Sequence, residues 1–144
     1  MKLLVLLAAF GGCVEPDVGA PMRATCDGAD SDPAHPVSYA TDIDAAIFKG
    51  GPHCVRCHIP GFGTPIGVSL GGLDLSSYAG LRHGGVQSGE DIIVPGDPCA
   101  SLLVQKLGAA PPFGARMPLD GPPYVDAAKL QVLSDWIAEG AHAD

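Results

Sequence analysis

Residues 51–64 read GPHCVRCHIPGFGT and contain two cysteines, Cys54 and Cys57, with His58 directly after the second. Two thiols at this spacing occur in redox dithiols, zinc sites, disulfides and the sites where c-type haem is attached to a chain. The motif therefore has four possible roles. The composition of the chain, its other cysteines and its helix pattern are needed to choose between them.

The N-terminus has the pattern of an export signal. Lys2 is followed by the apolar run 3–10 and then by two glycines before Cys13. The run is far shorter than the about 20 apolar residues that a membrane-spanning helix needs. We therefore predict a signal peptide over residues 1–12. The AFGGC stretch is similar to a bacterial lipobox, which predicts lipidation of Cys13, and the alternative is an ordinary signal peptide cut nearby.

Charge and composition restrict the class of protein. The chain has 144 residues and a formal net charge of −8, which becomes −9 when Lys2 leaves with the signal peptide. An acidic chain with no cluster of Lys and Arg does not have the basic patch of a nucleic-acid binder. The export signal places the mature chain in the periplasm or cell envelope, with membrane contact expected only through a lipid anchor. We predict no nucleic-acid partner.

The mature chain is long enough for one small domain. Residues 13–40 are rich in Pro and Asp and lack a hydrophobic period, so we predict a flexible tether there and a folded domain over 41–142. The 20 glycines and 14 prolines predict long loops. No alternation is long enough to predict a sheet, although 91–95 could form a short extended piece. The fold class is therefore all-α, with short helices predicted over 39–51, 76–85, 96–108 and 126–140.

Helix boundaries and buried faces follow from capping residues and from apolar spacing. We expect the first helix to begin at Thr41 or Asp42, the third at Asp97 with Pro98 in its first turn, and the last at Asp126. The residues expected to face the core are Ile43, Ala46 and Ile47 in the first helix, Leu102, Leu103 and Leu107 in the third, and Leu130, Leu133, Trp136 and Ile137 in the last.

Four short helices bury little apolar surface, so a disulfide, a metal or a cofactor is expected to complete the core. A structural zinc site needs four ligands, and His35, His53, His83 and His142 are scattered along the chain. A thioredoxin-like dithiol needs a βαβ setting, which is absent from the pattern. A disulfide would leave the adjacent histidine unexplained. We therefore predict one covalent c-type haem, with Cys54 and Cys57 as thioethers and His58 bound to iron.

The remaining cysteines form an even set. If Cys13 is lipidated and the motif holds haem, Cys26 and Cys99 are left in an oxidising compartment, where a disulfide between them is expected. Two free or separately buried thiols are the alternative.

A haem electron carrier commonly has methionine opposite histidine. The candidates are Met22, Met117 and the four other histidines; Met22 lies in the predicted tether, whereas Met117 lies in a proline-stiffened loop before the last helix, so we predict Met117 as the distal ligand. A buried gap-filling methionine is the alternative. Arg56 and Arg116 could pair with haem propionates, or they could be solvated surface charges.

Five stretches together resemble the planctomycete-type cytochrome c domain, a branch of the class I cytochromes c. They are CVRCH, GGLDLSSYAGLRHGG, IIVPGDPCASLLVQKL, ARMP and LQVLSDWIAEGA, and they cover about residues 41–142. The resemblance implies an all-α, cytochrome c-like domain with long Gly/Pro-rich loops around one haem, and it implies the same four haem-binding residues. Cys99 stands where such domains commonly carry a polar residue.

The function expected from these residues is one-electron transfer between a redox donor and an acceptor, with no enzymatic activity. One alternative is a haem that is five-coordinate or bound by a labile Met117, with a peroxidase-like or ligand-sensing role and His83 as a distal polar group. Another is a haem module that docks to a larger redox enzyme.

Overall fold

The structure, a computed structural model, describes residues 26–50 and 52–144. This part of the chain contains a π-helix, five α-helices and a 3₁₀ helix, and it contains no β-strand. The predicted all-α class is therefore confirmed for these residues. In chain order the elements are the π-helix Tyr39–Phe48, α1 Pro52–His58, α2 Ile66–Ser69, α3 Tyr78–His83, the 3₁₀ helix Gly89–Ile92, α4 Leu102–Leu107 and α5 Ala127–Ala138.

The first helix is capped earlier than predicted and has wide turns. Its N-cap is Ser38, whose hydroxyl accepts a hydrogen bond from the Thr41 backbone N–H at 3.1 Å. The expected caps at Thr41 and Asp42 are therefore wrong, because Ser38 already satisfies the first turn. Ile43 and Ile47 are buried as predicted. Ala46 is exposed, because the wider turn rotates it outward and buries Phe48 instead.

The cysteine motif lies on α1, and the Gly-rich stretch after it contains the short helix α2. The sequence of this stretch has no helical period, so α2 was not among the predicted helices. Helix α2 buries none of its side chains, so no apolar face marks it in the sequence.

Helix α3 begins after Ser77 and ends at Gly84, in agreement with the predicted short helix. Helix α4 begins after Ser101, so the predicted N-cap at Asp97 is wrong. Asp97 instead accepts a hydrogen bond from the Ala100 N–H at 2.9 Å and closes a separate turn before the helix. The predicted inward positions are buried at Leu103 and Leu107, while Leu102 is half-buried.

The predicted extended piece at 91–95 is wrong for its first two residues. They belong to the 3₁₀ helix, and Ile93 after them has an extended backbone. Ile92 and Ile93 are both buried, so this segment contributes side chains to the core.

Helix α5 matches its prediction. Asp126 is the N-cap and accepts a hydrogen bond from the Lys129 N–H at 2.8 Å. Leu133, Trp136 and Ile137 are buried, and Leu130 is half-buried against the core. The predicted apolar stripe therefore packs inward along the length of the helix.

The core is centred where α5 packs on the π-helix. Trp136 is almost fully buried and contacts Tyr39 and Tyr78, with ring centroids 5.5 Å and 6.4 Å away. The indole N–H of Trp136 donates to the backbone oxygen of His142 at 2.9 Å. The aromatic cluster thus joins the first and last helices of the described fold to α3, which carries Tyr78.

The described part of the predicted tether lies against the domain. A disulfide joins Cys26 to Cys99, as predicted. The Ser31 hydroxyl donates to Asp135 Oδ2 at 2.6 Å, and the Val37 N–H donates to Glu139 Oε2 at 2.8 Å. Residues 26–38 therefore form an N-terminal strap, held to the fold by one covalent bond and by polar contacts with α5 and its C-cap.

The predicted signal peptide, the lipidation site Cys13 and the alternative ligand Met22 lie outside the described residues. Within the described residues, no helix is long and apolar enough to cross a membrane.

Candidate haem site

The two motif cysteines are free thiols, one helical turn apart on α1. Cys54 lines a large cavity beneath the helix. Burial, with a smaller contribution from Asp120, raises the pKa of the Cys54 thiol. A redox dithiol needs an attacking cysteine with a lowered pKa. The environment of Cys54 therefore disfavours a thioredoxin-like role.

A zinc site is also disfavoured. Among residues 26–50 and 52–144, no three His, Cys, Asp or Glu side chains come together in a group that could hold a metal ion. A structural zinc ion needs four such ligands. Within the described residues, the motif therefore offers its own two sulfurs and one imidazole as possible ligands.

The imidazole of His58 is oriented by the chain that follows α1. Its Nδ1 lies 3.0 Å from the backbone oxygen of Leu73, which can only accept a hydrogen bond, so Nδ1 carries the proton. The backbone oxygen of His58 also accepts from the Leu75 N–H at 2.8 Å. A neutral imidazole protonated at Nδ1 has a lone pair at Nε2, which is the arrangement of a metal-ligating histidine.

Gly67 on α2 leaves space for this ring. A Cβ atom added there would lie 2.5 Å from His58 Nδ1 and 2.7 Å from the backbone oxygen of Cys57. Real Cβ atoms do not approach other atoms so closely, so any larger residue would displace the ring or α2. The glycine is thus a requirement of the site.

Residues of the π-helix, α1, the 3₁₀ helix and α4, together with residues of the connecting loops, line a cavity of about 390 Å³. This volume lies within the range of about 300–1,000 Å³ that is usual for small-molecule and cofactor sites. The side chains that line it are mostly apolar, and among the described residues Lys106 is the only one of them with a full charge. The core residues among them are Ile47, Phe48, Leu75, Ile92, Leu103 and Leu107.

Three of the predicted haem-binding residues line this same cavity. They are Cys54, His58 and Met117, although the last two are 59 positions apart in the chain. The Met117 N–H donates to the backbone oxygen of Lys106 at 2.8 Å, which attaches the Met loop, defined here as residues 109–118, to α4. Cys57 does not line the cavity.

One wall of the cavity depends on close backbone contact between two glycine-containing segments. The Val86 N–H donates to the oxygen of Gly71 at 2.8 Å, and a Cβ added at Gly85 would lie 2.5 Å from that same oxygen. At this wall, Leu70 and Val86 line the cavity but are 79 % and 80 % exposed. The cavity therefore opens to the surface there.

The two arginines and the alternative distal histidine do not line the cavity. Arg56 lies 3.7 Å from Asp120 and is mostly exposed. Arg116 donates from Nε to the Leu107 oxygen at 2.9 Å, and its guanidinium lies 4.0 Å from the centre of the Tyr124 ring. His83 is exposed at the end of α3.

A second contact joins α1 to the chain beyond Met117. His53 Nδ1 lies 3.0 Å from Asp120 Oδ1. The hydrogen bond from His53 lowers the pKa of Asp120, and the nearby Arg56 contributes to the same shift. The chain from Met117 to Asp120 is thus connected both to α4 and to α1.

Sequence reasoning did not find Gly67, the Leu73 carbonyl or Lys106. Gly67 is one of several glycines in its segment, and a backbone carbonyl has no side-chain signal. Lys106 lies in α4 between half-buried and buried positions and looks like an ordinary charge on a helix surface. Only their positions in space show their connection with His58 and Met117.

Comparison of the chain with protein-family models, curated proteins and solved structures finds no match. What the cavity binds is therefore inferred from its own residues.

Proposed function

We propose that the protein is an extracytoplasmic one-electron carrier with a single covalent c-type haem and a cytochrome c-like fold. The observation that carries the proposal is that His58 and Met117 line one apolar cavity together with Cys54. When bound, such a haem supplies a one-electron ferrous/ferric couple. The N-terminal signal supports export, and a lipid at Cys13 would attach the carrier to a membrane.

The chain's own residues would hold the group in place. Cys54 and Cys57 are free thiols in a Cys-x-x-Cys-His motif, which is the pattern of covalent haem attachment. His58 offers Nε2, because its Nδ1 proton is engaged by the Leu73 carbonyl. The apolar lining would exclude water and provide the large buried contact surface that the short helices lack.

Met117 supports the carrier role over a site that leaves iron open. Its thioether is soft, uncharged and a weak acceptor, and as a ligand to haem iron it would raise the reduction potential relative to a second histidine. His83, the distal group of the peroxidase-like alternative, is exposed and does not line the cavity. No other observation in the described residues favours that alternative.

Electron exchange with a partner would occur where the cavity opens to the surface. Leu70 and Val86 line the cavity there and are largely exposed. A bound redox group would therefore be reached at this wall by a protein donor or acceptor.

Covalent haem is tested first. The full chain is expressed in a bacterium that has a cytochrome c maturation system, and the purified protein is stained for haem after denaturing electrophoresis. The wild type should stain, because thioether bonds survive denaturation, and the Cys54→Ser/Cys57→Ser variant should not. An unstained wild type from a host that matures a control cytochrome would contradict the proposal.

The sixth ligand is tested by the spectrum of the ferric protein. A weak red charge-transfer band is expected in the wild type, absent in Met117→Ala and retained in the matched control Met22→Ala. The Met117→Ala variant should also have a lower reduction potential, because the thioether no longer stabilises the reduced state. A high-spin ferric spectrum in the wild type would contradict the six-coordinate carrier.

A further inference from the structure

Lys106 is the charged residue in an otherwise largely apolar cavity lining. Burial lowers its pKa, which indicates that part of its hydration has been lost. An ammonium group moved away from water needs acceptors, and none of the other residues that line the cavity is a carboxylate. Its actual acceptors therefore show what the residue does.

The ammonium group of Lys106 binds the Met loop. Nζ donates to the backbone oxygen of Phe113 at 2.7 Å and to that of Ala115 at 2.6 Å. It also lies 4.8 Å from the centre of the Phe113 ring, within cation–π distance. The same side chain thus crosslinks two carbonyls and one ring of this loop.

The backbone of Lys106 binds the loop a second time. Its oxygen accepts from the Met117 N–H at 2.8 Å. One residue of α4 therefore holds the loop at Phe113, Ala115 and Met117, and α4 is itself fixed to the core by the buried Leu103 and Leu107. The loop is also stiffened by its prolines and is held by Arg116, whose Nε donates to the Leu107 oxygen at 2.9 Å.

We propose that Lys106 is a positioning residue that holds the Met117 thioether at the haem iron. The inference rests on the proposed function, because it assigns Met117 the role of axial ligand. An axial sulfur competes with water and with added ligands for its coordination position. The competition depends on how often the loop moves the sulfur away from iron. A loop that has lost the ammonium contacts should move away more often, so an added ligand should bind more readily.

The test compares Lys106→Met with the matched control Lys49→Met in the mature protein. Methionine keeps the length and apolar stem of Lys106 but has no donor. Lys49 instead lies 2.6 Å from Asp44 at the end of the π-helix, away from the loop. Three measurements are made: the ferric charge-transfer band, the affinity of the ferric protein for imidazole, and hydrogen–deuterium exchange of residues 113–117.

In Lys106→Met the charge-transfer band should weaken, and imidazole should bind about tenfold more tightly, a ratio that corresponds to about 1.4 kcal/mol. Exchange in residues 113–117 should also become about tenfold faster, because opening the loop exposes the Met117 amide. Lys49→Met should match the wild type in all three. If Lys106→Met yields no folded protein, the same measurements are made on Lys106→Gln, whose amide is a shorter donor. Its band intensity, imidazole affinity and exchange rate should lie between those of the wild type and those expected for Lys106→Met.

An unchanged band, an imidazole affinity within twofold of the wild type and unchanged exchange would overturn the positioning role. These results differ from a failure of the proposed function, in which the wild type itself carries no haem or has no band that depends on Met117. In that event, faster exchange in Lys106→Met would retain Lys106 as the support of the loop and would overturn only its connection with iron.

Discussion

Removal of the Cys26–Cys99 disulfide should lower the stability of the domain by several kcal/mol. The bond joins residues 73 positions apart, so it closes about half of the 144-residue chain into one loop. The chain-entropy relation gives about 4.4 kcal/mol at 25 °C for a loop of this length, because the unfolded chain regains the freedom that the bond removes. This value is large beside the about 5–15 kcal/mol by which whole domains are stable.

The native contacts around the bond should survive its removal. The strap is also held by Ser31 on Asp135 and by Val37 on Glu139, and the nearby Cys99 segment is anchored through the buried Ser101. The cost should therefore lie mainly in the unfolded state. Circular dichroism spectra of the wild type and of the variants should then be the same before denaturation.

The assay is urea unfolding of the mature protein followed by circular dichroism. With a slope of about 1–2 kcal/mol per molar urea, the Cys26→Ala/Cys99→Ala variant should unfold at a urea concentration about 2–4 M lower than the wild type. Each single variant already breaks the bond, so both single variants and the double variant should be equally unstable. A loss below about 1 kcal/mol, or a double variant that costs the sum of the two singles, would refute the reasoning.

Two further predictions concern the site and the strap. Gly67→Ala should destabilise the domain by about 1–3 kcal/mol and lower the yield of haem-stained protein, because the added Cβ would overlap His58. The control Gly28→Ala, whose Cβ would meet only ordinary contacts, should have neither effect. Equal yields from the two variants would contradict this account of the ring. Burial raises the pKa of Asp135, but hydrogen bonds from Ser31 and from α5 outweigh it, so the pKa lies below its usual value. The ionised carboxylate should therefore stabilise the fold fully above about pH 3.9, and this stabilisation should be lost as the pH falls through the lowered pKa. When the free energy of unfolding is measured from pH 2 to pH 7, Asp135→Asn should reduce its loss at acid pH.

The elements that sequence reasoning predicted well were those whose signals are local. Helix α5 combines a capping aspartate, a regular apolar stripe and a terminal glycine, and both its start and its buried face agree with the structure. Helix α3 is similar, with Ser77 before it and Gly84 after it. In these cases, the residues that determine the helix lie within the helix itself or directly next to its ends.

The predictions failed where two capping signals competed and where the helix geometry was not that of a regular α-helix. Asp97 is a good N-cap and is followed by proline, but its carboxylate closes a turn, and the helix begins after Ser101. In the first helix, the wide turns change which side chains face inward, so Phe48 replaces Ala46 in the buried set. Apolar spacing assumes regular α-helix geometry and fails where the hydrogen-bond pattern changes.

The amino-acid sequence by itself was sufficient to predict an all-α domain, a Cys-x-x-Cys-His motif with the chemistry of haem attachment, and the pairing of the two leftover cysteines. The first two conclusions follow from residue types and short spacings, and the third follows from counting the cysteines that remain, so none of them depends on the rest of the fold. Only the tertiary structure brought Met117 to the cavity lined by His58, directed the Nδ1 proton to Leu73, and placed the Lys106 ammonium group on the Met loop. The physical reason is that these contacts join residues whose separation in space is decided by how the helices pack.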